Sequence, residues 1–337
     1  MNFRLTINIS KCSKSFTKWN GRGYYNDTHY DNIEITNGKI KIIGSRNKLS
    51  NLSSLLFNTN TTLYRQIVKT LSFYYLCTGE PLKIETVVLN SNTNEEEETE
   101  FLQPFDKSID SNILLLSNEL TKIFSNTINI DKFLNGIIYY IKALQDGEFD
   151  NYWKSFNSLY SLISSRDNEN EKLRDMRTFI EVNKHCFSKT LTFLNNNSEN
   201  DIRLLRIREF ILNNWPNQNS TKAYVDMVKR FSDVRIIKVL EETLPYRIEF
   251  IRNEGLENEI RSHIALKKSM NKNDNVELLC FYILKYAYFV RNKYFHAEKA
   301  SPNFILKDSA ELQELSKLIK IFQYFLSDLI RCNIKYL

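Results

Sequence analysis

Glycine and proline are scarce in this chain of 337 residues, with eight and five respectively. So few turn formers argue against a loop-rich sandwich and favour long helices. The five cysteines, Cys12, Cys77, Cys186, Cys280 and Cys332, are scattered, with no C-x-x-C pair and no Cys/His cluster. A disulfide scaffold and a structural zinc site are therefore not expected, and the thiols read as reduced and buried. Asp, Glu and His never group at metal-ligand spacing, so neither a metal nor another cofactor is expected. Long hydrophobic runs are missing too. The most apolar stretch, "VELLCFYILKYAYFV" (276–290), is broken by Lys285 and is shorter than a membrane span. The first residues, "MNFRLTINISKCSKSF", hold no apolar core of signal-peptide length. These absences predict a cytoplasmic protein with no membrane partner.

What remains is ample for a core: 42% of residues are hydrophobic, and Phe and Tyr are plentiful, 22 and 18. The net charge of +6 is compatible with a polyanionic partner but is also that of an ordinary surface with some excess lysine. The first hundred residues read as mixed. "FRLTINI" alternates as a strand, and "NIEITNGKIKIIG" alternates on both sides of Asn37-Gly38, which predicts a hairpin with a type I′ turn. "TTLYRQIVKTLSFYYLCTG" predicts a helix from Thr62 stopped by Gly79, and "PLKIETVVLN" a strand. The acidic "SNTNEEEETE" predicts a structureless loop. After Pro104, apolar residues recur at three- and four-residue spacing almost to the end. Helices are predicted over 111–125, 131–146, 148–165, 169–195, 201–213, 220–231, 233–252, 256–268, 274–297 and 308–333. The expected fold class is mainly α: a small α+β domain (1–105), connecting helices (106–147) and an all-helical bundle (148–337).

Two arginine–histidine pairs invite comparison: Arg22 and His29, seven apart in "RGYYNDTH", and Arg291 and His296, five apart in "RNKYFH". The first pair lies in a turn-like stretch with no helix to fix it. The second closes the most apolar helix, and a helix end packed on a core is rigid, as a catalytic pair must be. Five residues along a regular helix turn the two side chains about 140° apart. To reach one phosphate, the helix must kink or end near the motif, or residues of two chains must combine.

"RNKYFHAE" resembles the signature of HEPN domains: Arg, a polar residue such as Asn, a short apolar spacer, then His. "YWKSFNSLYSLIS" (152–164), with Trp153, Phe156, Asn157, Leu159 and Tyr160, resembles the opening helix of bacterial members. The resemblance covers roughly 148–337. It implies a helical bundle that dimerises, with Arg291 and His296 of both copies facing one cleft. It also implies metal-independent endoribonuclease activity of the kind found in toxins and in antiviral defence, with an antitoxin or sensor as a further partner. Two positions depart from the pattern: Ala297 stands where many relatives have Gly, and Glu298 where a toxin subgroup has a tyrosine that is adenylylated.

The chemistry stands on its own. RNA carries its nucleophile, the 2′-OH, beside the scissile phosphate. Histidine can move protons at neutral pH, and arginine offers a permanently charged fork that fits phosphate oxygens. Asn292 reads as a residue that orients its neighbours. Arg203 and Arg206, three apart in "RLLRIREF", would share a helix face. With Lys293 they are the RNA-binding candidates, and Arg208, Lys229, Arg230 and Arg235 could extend the track. Ordinary ion pairing with Glu209 and Asp233 explains the cluster equally well. The alternative for the whole chain is a non-catalytic helical dimer that binds RNA, a nucleotide or a partner protein. His185 and His263 read as core or surface histidines, and Trp153, Asn157 and Tyr160 as packing residues.

Overall fold

The computed structural model describes residues 1–14, 16–91, 94–102, 105–295 and 307–333, with the backbone alone at Phe295. The chain forms two compact units, Met1–Ser165 with the residues from Leu326 onward, and Arg166–Phe325. Among the described residues no helix is long and apolar enough to cross a membrane. An N-terminal antiparallel sheet followed by helices gives a mainly α protein, as the periodicities predict.

The first unit is built on six strands: β1 (Asn2–Ile9), β2 (Trp19–Tyr24), β3 (Tyr30–Thr36), β4 (Lys39–Ser45), β5 (Ile84–Ser91) and β6 (Glu95–Glu98). They lie in the order β2-β3-β4-β1-β5-β6, every pair antiparallel. The alternating residues Phe3, Leu5, Ile7 and Ile9 of β1 are buried, as are Ile33 and Ile35 of β3 and Ile40 and Ile42 of β4. A period of two therefore places one apolar face on the core. Short helix α1 (Leu52–Phe57) and long helix α2 (Thr62–Thr78) follow β4. Thr61 caps α2 through its hydroxyl, which accepts from the Tyr64 N–H at 3.1 Å, and Gly79 ends it at φ +70°. After the one-turn helix α3 (Ser117–Leu120), helices α4 (Ile130–Asp146) and α5 (Phe149–Tyr160) form a pair, sealed where the Ser155 hydroxyl donates to the Gly136 carbonyl at 2.7 Å. Residues 106–165 thus pack in the unit that holds the sheet.

Three expectations for this unit need correction or refinement. Asn37-Gly38 does join β3 to β4, but Gly38 alone of the two has positive φ, +88°, so the turn is not type I′. Asn37 is held elsewhere: its Oδ1 accepts from the Cys12 N–H (2.9 Å) and the Tyr74 hydroxyl (3.1 Å), and its Nδ2 donates to the Cys12 carbonyl. The acidic stretch is not structureless, because Glu95–Glu98 pairs with Asn90–Val87 as the sheet's edge. Four carboxylates suit an edge strand, since charge there opposes pairing with another chain. Residues 111–125 are not one helix but two 3₁₀ turns around α3.

The second unit contains α6 (Glu169–Val182), α7 (Ser188–Leu194), α8 (Glu199–Arg203), α9 (Ile207–Asn214), α10 (Thr221–Lys229), α11 (Val234–Thr243), α12 (Ile248–Asn253), α13 (Glu257–Met270), α14 (Asn275–Cys280) and α15 (Ala287–Phe295). Helix α16 (Ala310–Asn333) belongs to this unit up to Phe325 and to the first unit beyond it. The predicted helices are present, but three are divided. Asn183 ends α6, with its side-chain amide donating to the Phe179 carbonyl at 3.0 Å. Pro245, in the 3₁₀ turn Leu244–Tyr246, divides α11 from α12, as a residue without an N–H does. Between α8 and α9 the Arg206 N–H leaves the helical ladder and donates to the Tyr286 hydroxyl oxygen (2.7 Å) and to Glu314 (3.0 Å).

Candidate functional site

The helical stretch that carries the Arg–Asn motif starts where the Asp274 carboxylate accepts from the N–H groups of Val276 and Glu277. Leu278 to Leu284 are buried all round, as are Tyr286, Ala287, Phe289 and Val290. An all-round apolar helix is a core helix. Over Phe281–Tyr286 the backbone is π-helical, a widened turn that often marks functional sites. Lys285 lies inside that turn and is the one charged residue between Glu277 and Arg291.

Arg291 and Asn292 are half-buried near the end of α15, and Nη1 of Arg291 donates to Oδ1 of Asn292 at 2.8 Å. Lys293 donates to Oδ1 of Asn213 at 2.8 Å, and its ammonium lies 5.8 Å from the centre of the Phe289 ring. The Tyr294 hydroxyl donates to Glu311 at 2.6 Å. His296 lies outside the described residues, and with it the geometry of the Arg291–His296 pair.

The other arginines singled out from sequence are largely engaged. Arg203 and Arg206 do not share a helix face, since α8 ends at Arg203 and Arg206 has non-helical backbone. Arg203 pairs with Glu242 at 2.6 Å, a bond that raises the arginine's pKa and lowers the carboxylate's. Arg206 forks onto the fully buried Glu314, with Nε to Oε2 at 2.9 Å and Nη2 to Oε1 at 2.8 Å, and also meets Glu209 at 3.0 Å. Burial works to lower the Arg206 pKa, but Glu314 and Glu209 outweigh it and raise it. The Tyr286 hydroxyl donates to the same Glu314 at 2.6 Å, and its pKa is driven far up, by burial first and by that carboxylate next. Arg235 forks onto buried Asp233 (2.6 Å), Arg208 lies 5.1 Å from the Tyr246 ring centre, and Lys229 pairs with Glu259.

Arg230 is different: it joins Arg174, Arg177 and Lys285 around a cavity of about 470 Å³. The cavity is further lined by Asn170, Asn214, Phe210, Trp215, Cys280, Leu284 and Tyr288, and no carboxylate is among its lining residues. Sequence reading overlooked Arg174 and Arg177, although their three-residue spacing was visible. It noted Lys285 only as an interruption of an apolar run, yet a lysine at that place was the available signal.

His263 Nε2 lies 3.0 Å from the Phe231 carbonyl, and His29 Nδ1 lies 2.8 Å from Thr28 Oγ1. Arg22 belongs to β2 and stacks on Tyr30, 4.4 Å from its ring centre. Trp153, Phe156 and Tyr160 are buried and form edge-to-face contacts along α5. That helix belongs to the first compact unit, whereas α15 belongs to the second. Among the described residues no group of three or more His, Cys, Asp or Glu could hold a metal ion. Comparison with protein-family models, with curated proteins and with solved structures finds no match.

Proposed function

We propose that the chain is a metal-independent endoribonuclease of the HEPN type, cleaving single-stranded RNA as a homodimer. The observation that carries the reading is the Arg291–Asn292 bond on a core-packed helix, directly ahead of His296. A guanidinium held by a neighbouring amide is already aimed, so little ordering remains when a phosphate arrives. In the proposed reaction His296 acts as general acid/base. The ribose 2′-OH gives up its proton and attacks phosphorus, the bond to the 5′-oxygen breaks, and that oxygen is protonated as it leaves. Arg291 neutralises charge on the phosphate oxygens during the attack. The products are a 2′,3′-cyclic phosphate and a 5′-hydroxyl. Such an enzyme fits antiviral defence in a prokaryote or a toxin restrained by an antitoxin or sensor.

Of the arginines proposed to bind RNA, Arg203 and Arg206 would first have to release Glu242 and Glu314, so Lys293 is the better contact in this mechanism. The test is cleavage of single-stranded RNA by purified protein in EDTA. Cyclic-phosphate ends are expected, with a loss of about a hundredfold or more in His296→Ala. Equal cleavage by His296→Ala would refute the assignment. The second reading, a helical dimer that binds RNA, a nucleotide or a partner protein without cutting, is favoured by the basic cavity beside Lys285.

A further inference from the structure

We propose that the cavity between α6, α9, α10 and the α14–α15 stretch is a binding site for a nucleoside di- or triphosphate. This goes beyond the nuclease reading and does not depend on it. Arg174 and Arg177 reach the cavity from α6, Arg230 from the end of α10, and Lys285 from the π-helical turn. Three elements of one compact unit thus bring four cations to one concavity. Arg177 is compensated by Glu181 at 2.8 Å. Arg174, Arg230 and Lys285 have no ion-pair partner among the described residues.

Bringing cations together without anions is unfavourable, and Lys285 records it. Burial first, then Arg230, Arg177 and Arg174, all lower its pKa. A bound polyanion reverses each of those charge repulsions. Three uncompensated cations match roughly the charge of a nucleoside diphosphate, whereas one phosphodiester of RNA would leave most of the repulsion in place.

The rest of the wall suits a nucleoside. Trp215 is held by edge-to-face contacts with Phe210 (5.3 Å) and Tyr224 (5.6 Å), which keeps a flat aromatic surface in place for a base. Tyr288 lines the cavity as well and donates weakly to Glu169 at 3.4 Å. Asn170 and Asn214 supply amides that can pair with a base edge. About 470 Å³ lies within the range of small-molecule sites. Cys280 is no competing nucleophile, because burial pushes its thiol up to about 12 against the pull of Arg177.

The test is titration calorimetry on the full chain with ATP, pyrophosphate, adenosine and a short 5′-hydroxyl RNA. The proposal expects ATP to bind, pyrophosphate to bind more weakly, and adenosine to bind least. Arg174→Ala and Arg230→Ala, at exposed positions, should each weaken ATP about ten- to a hundredfold, and Lys285→Met likewise. Arg203→Ala, which removes an equal charge elsewhere, should leave ATP binding unchanged. The proposal is overturned if folded protein binds no ATP, if adenosine binds as tightly as ATP, or if the cavity variants bind as the wild type does. Preference for the RNA over ATP, lost in the same variants, would also overturn it by making the cavity a backbone track. Protein that binds ATP and cuts no RNA supports this site while removing the nuclease assignment.

Discussion

Lys69 shows what burial does to one ammonium. It is almost fully enclosed on α2 and donates to the Tyr24 carbonyl at 3.1 Å. Burial, helped by Arg65, brings its pKa down to about 8, against the pull of Asp131 and Asp31. The folded value lies below that of an unfolded lysine, so between about 8 and 10 the unfolded chain holds the proton more tightly. The penalty is complete below about 8 and fades as pH rises through that window. Stability of the wild type relative to Lys69→Met should therefore increase between pH 8 and 10, by at most about 1 kcal/mol per pH unit. Denaturant unfolding at several pH values measures this difference. A pH-independent difference would mean that Lys69 is charged or neutral throughout. The comparison with the variant matters, because Cys77 is pushed up to about 12 by burial and makes stability fall with pH above about 9 in both proteins. Arg206 illustrates the opposite outcome. It too is partly buried, but a fully buried carboxylate meets it, and the pair divides what periodicity reads as one helix into α8 and α9.

At the scale of the element, the sheet contains the clearest test of packing. Asp31 of β3 is fully buried and takes both Arg46 nitrogens at 2.7 Å, while Arg46 lies 3.8 Å from the Tyr25 ring centre. Gly44 of β4 leaves the space: a Cβ there would stand 1.9 Å from Asp31 Oδ1. Arg46→Ala strands a buried charge and should cost about 3 to 5 kcal/mol of unfolding free energy. Gly44→Ala forces the same carboxylate aside and should cost about 1 to 3 kcal/mol. Thermal or denaturant unfolding reads both, and an unshifted Arg46→Ala would show that the pair contributes nothing to the sheet. Such features explain which parts of the fold were legible. Periodicity found β1, β3, β4, β5 and most helices, because burying one face imposes a period on the residues themselves, whereas β2 read as a turn-like stretch. It could not find the breaks at Asn183 and Arg206, or the negative φ of Asn37. Each depends on a polar bond, and for Arg206 and Asn37 the partner is distant in sequence: Glu314 and Tyr286 in one case, Cys12 and Tyr74 in the other. The acidic strand β6 escaped for a related reason, since an edge strand needs a neighbour rather than an apolar face. At the site, the Arg291–Asn292 adjacency was readable because it is local. The meeting of Arg174, Arg177, Arg230 and Lys285 was not, because three elements separated in sequence supply it.

For the whole molecule, the question is whether one copy of the chain completes a catalytic site. The opening-helix landmark at Trp153 belongs to the first compact unit and the Arg291 motif to the second, so a likeness that treats 148–337 as one body has to span both. On a regular helix, residues five apart point about 140° from each other, which favours Arg291 of one copy acting with His296 of another. That arrangement makes a measurable demand. Arg291→Ala and His296→Ala should each be inactive alone. Co-expressed or mixed under subunit exchange, they should regain cleavage, because some dimers then hold an intact arginine on one chain facing an intact histidine on the other. With random exchange about half of the dimers are mixed, and each mixed dimer keeps one complete pair, so recovery of about a quarter of wild-type activity is the expected ceiling. RNA cleavage across a series of mixing ratios measures it, alongside a tagged-subunit assay for exchange. Recovery that peaks near equal amounts supports a site shared by two copies. Proven exchange without recovery would overturn the pairing of one copy's arginine with the other copy's histidine as a sufficient site.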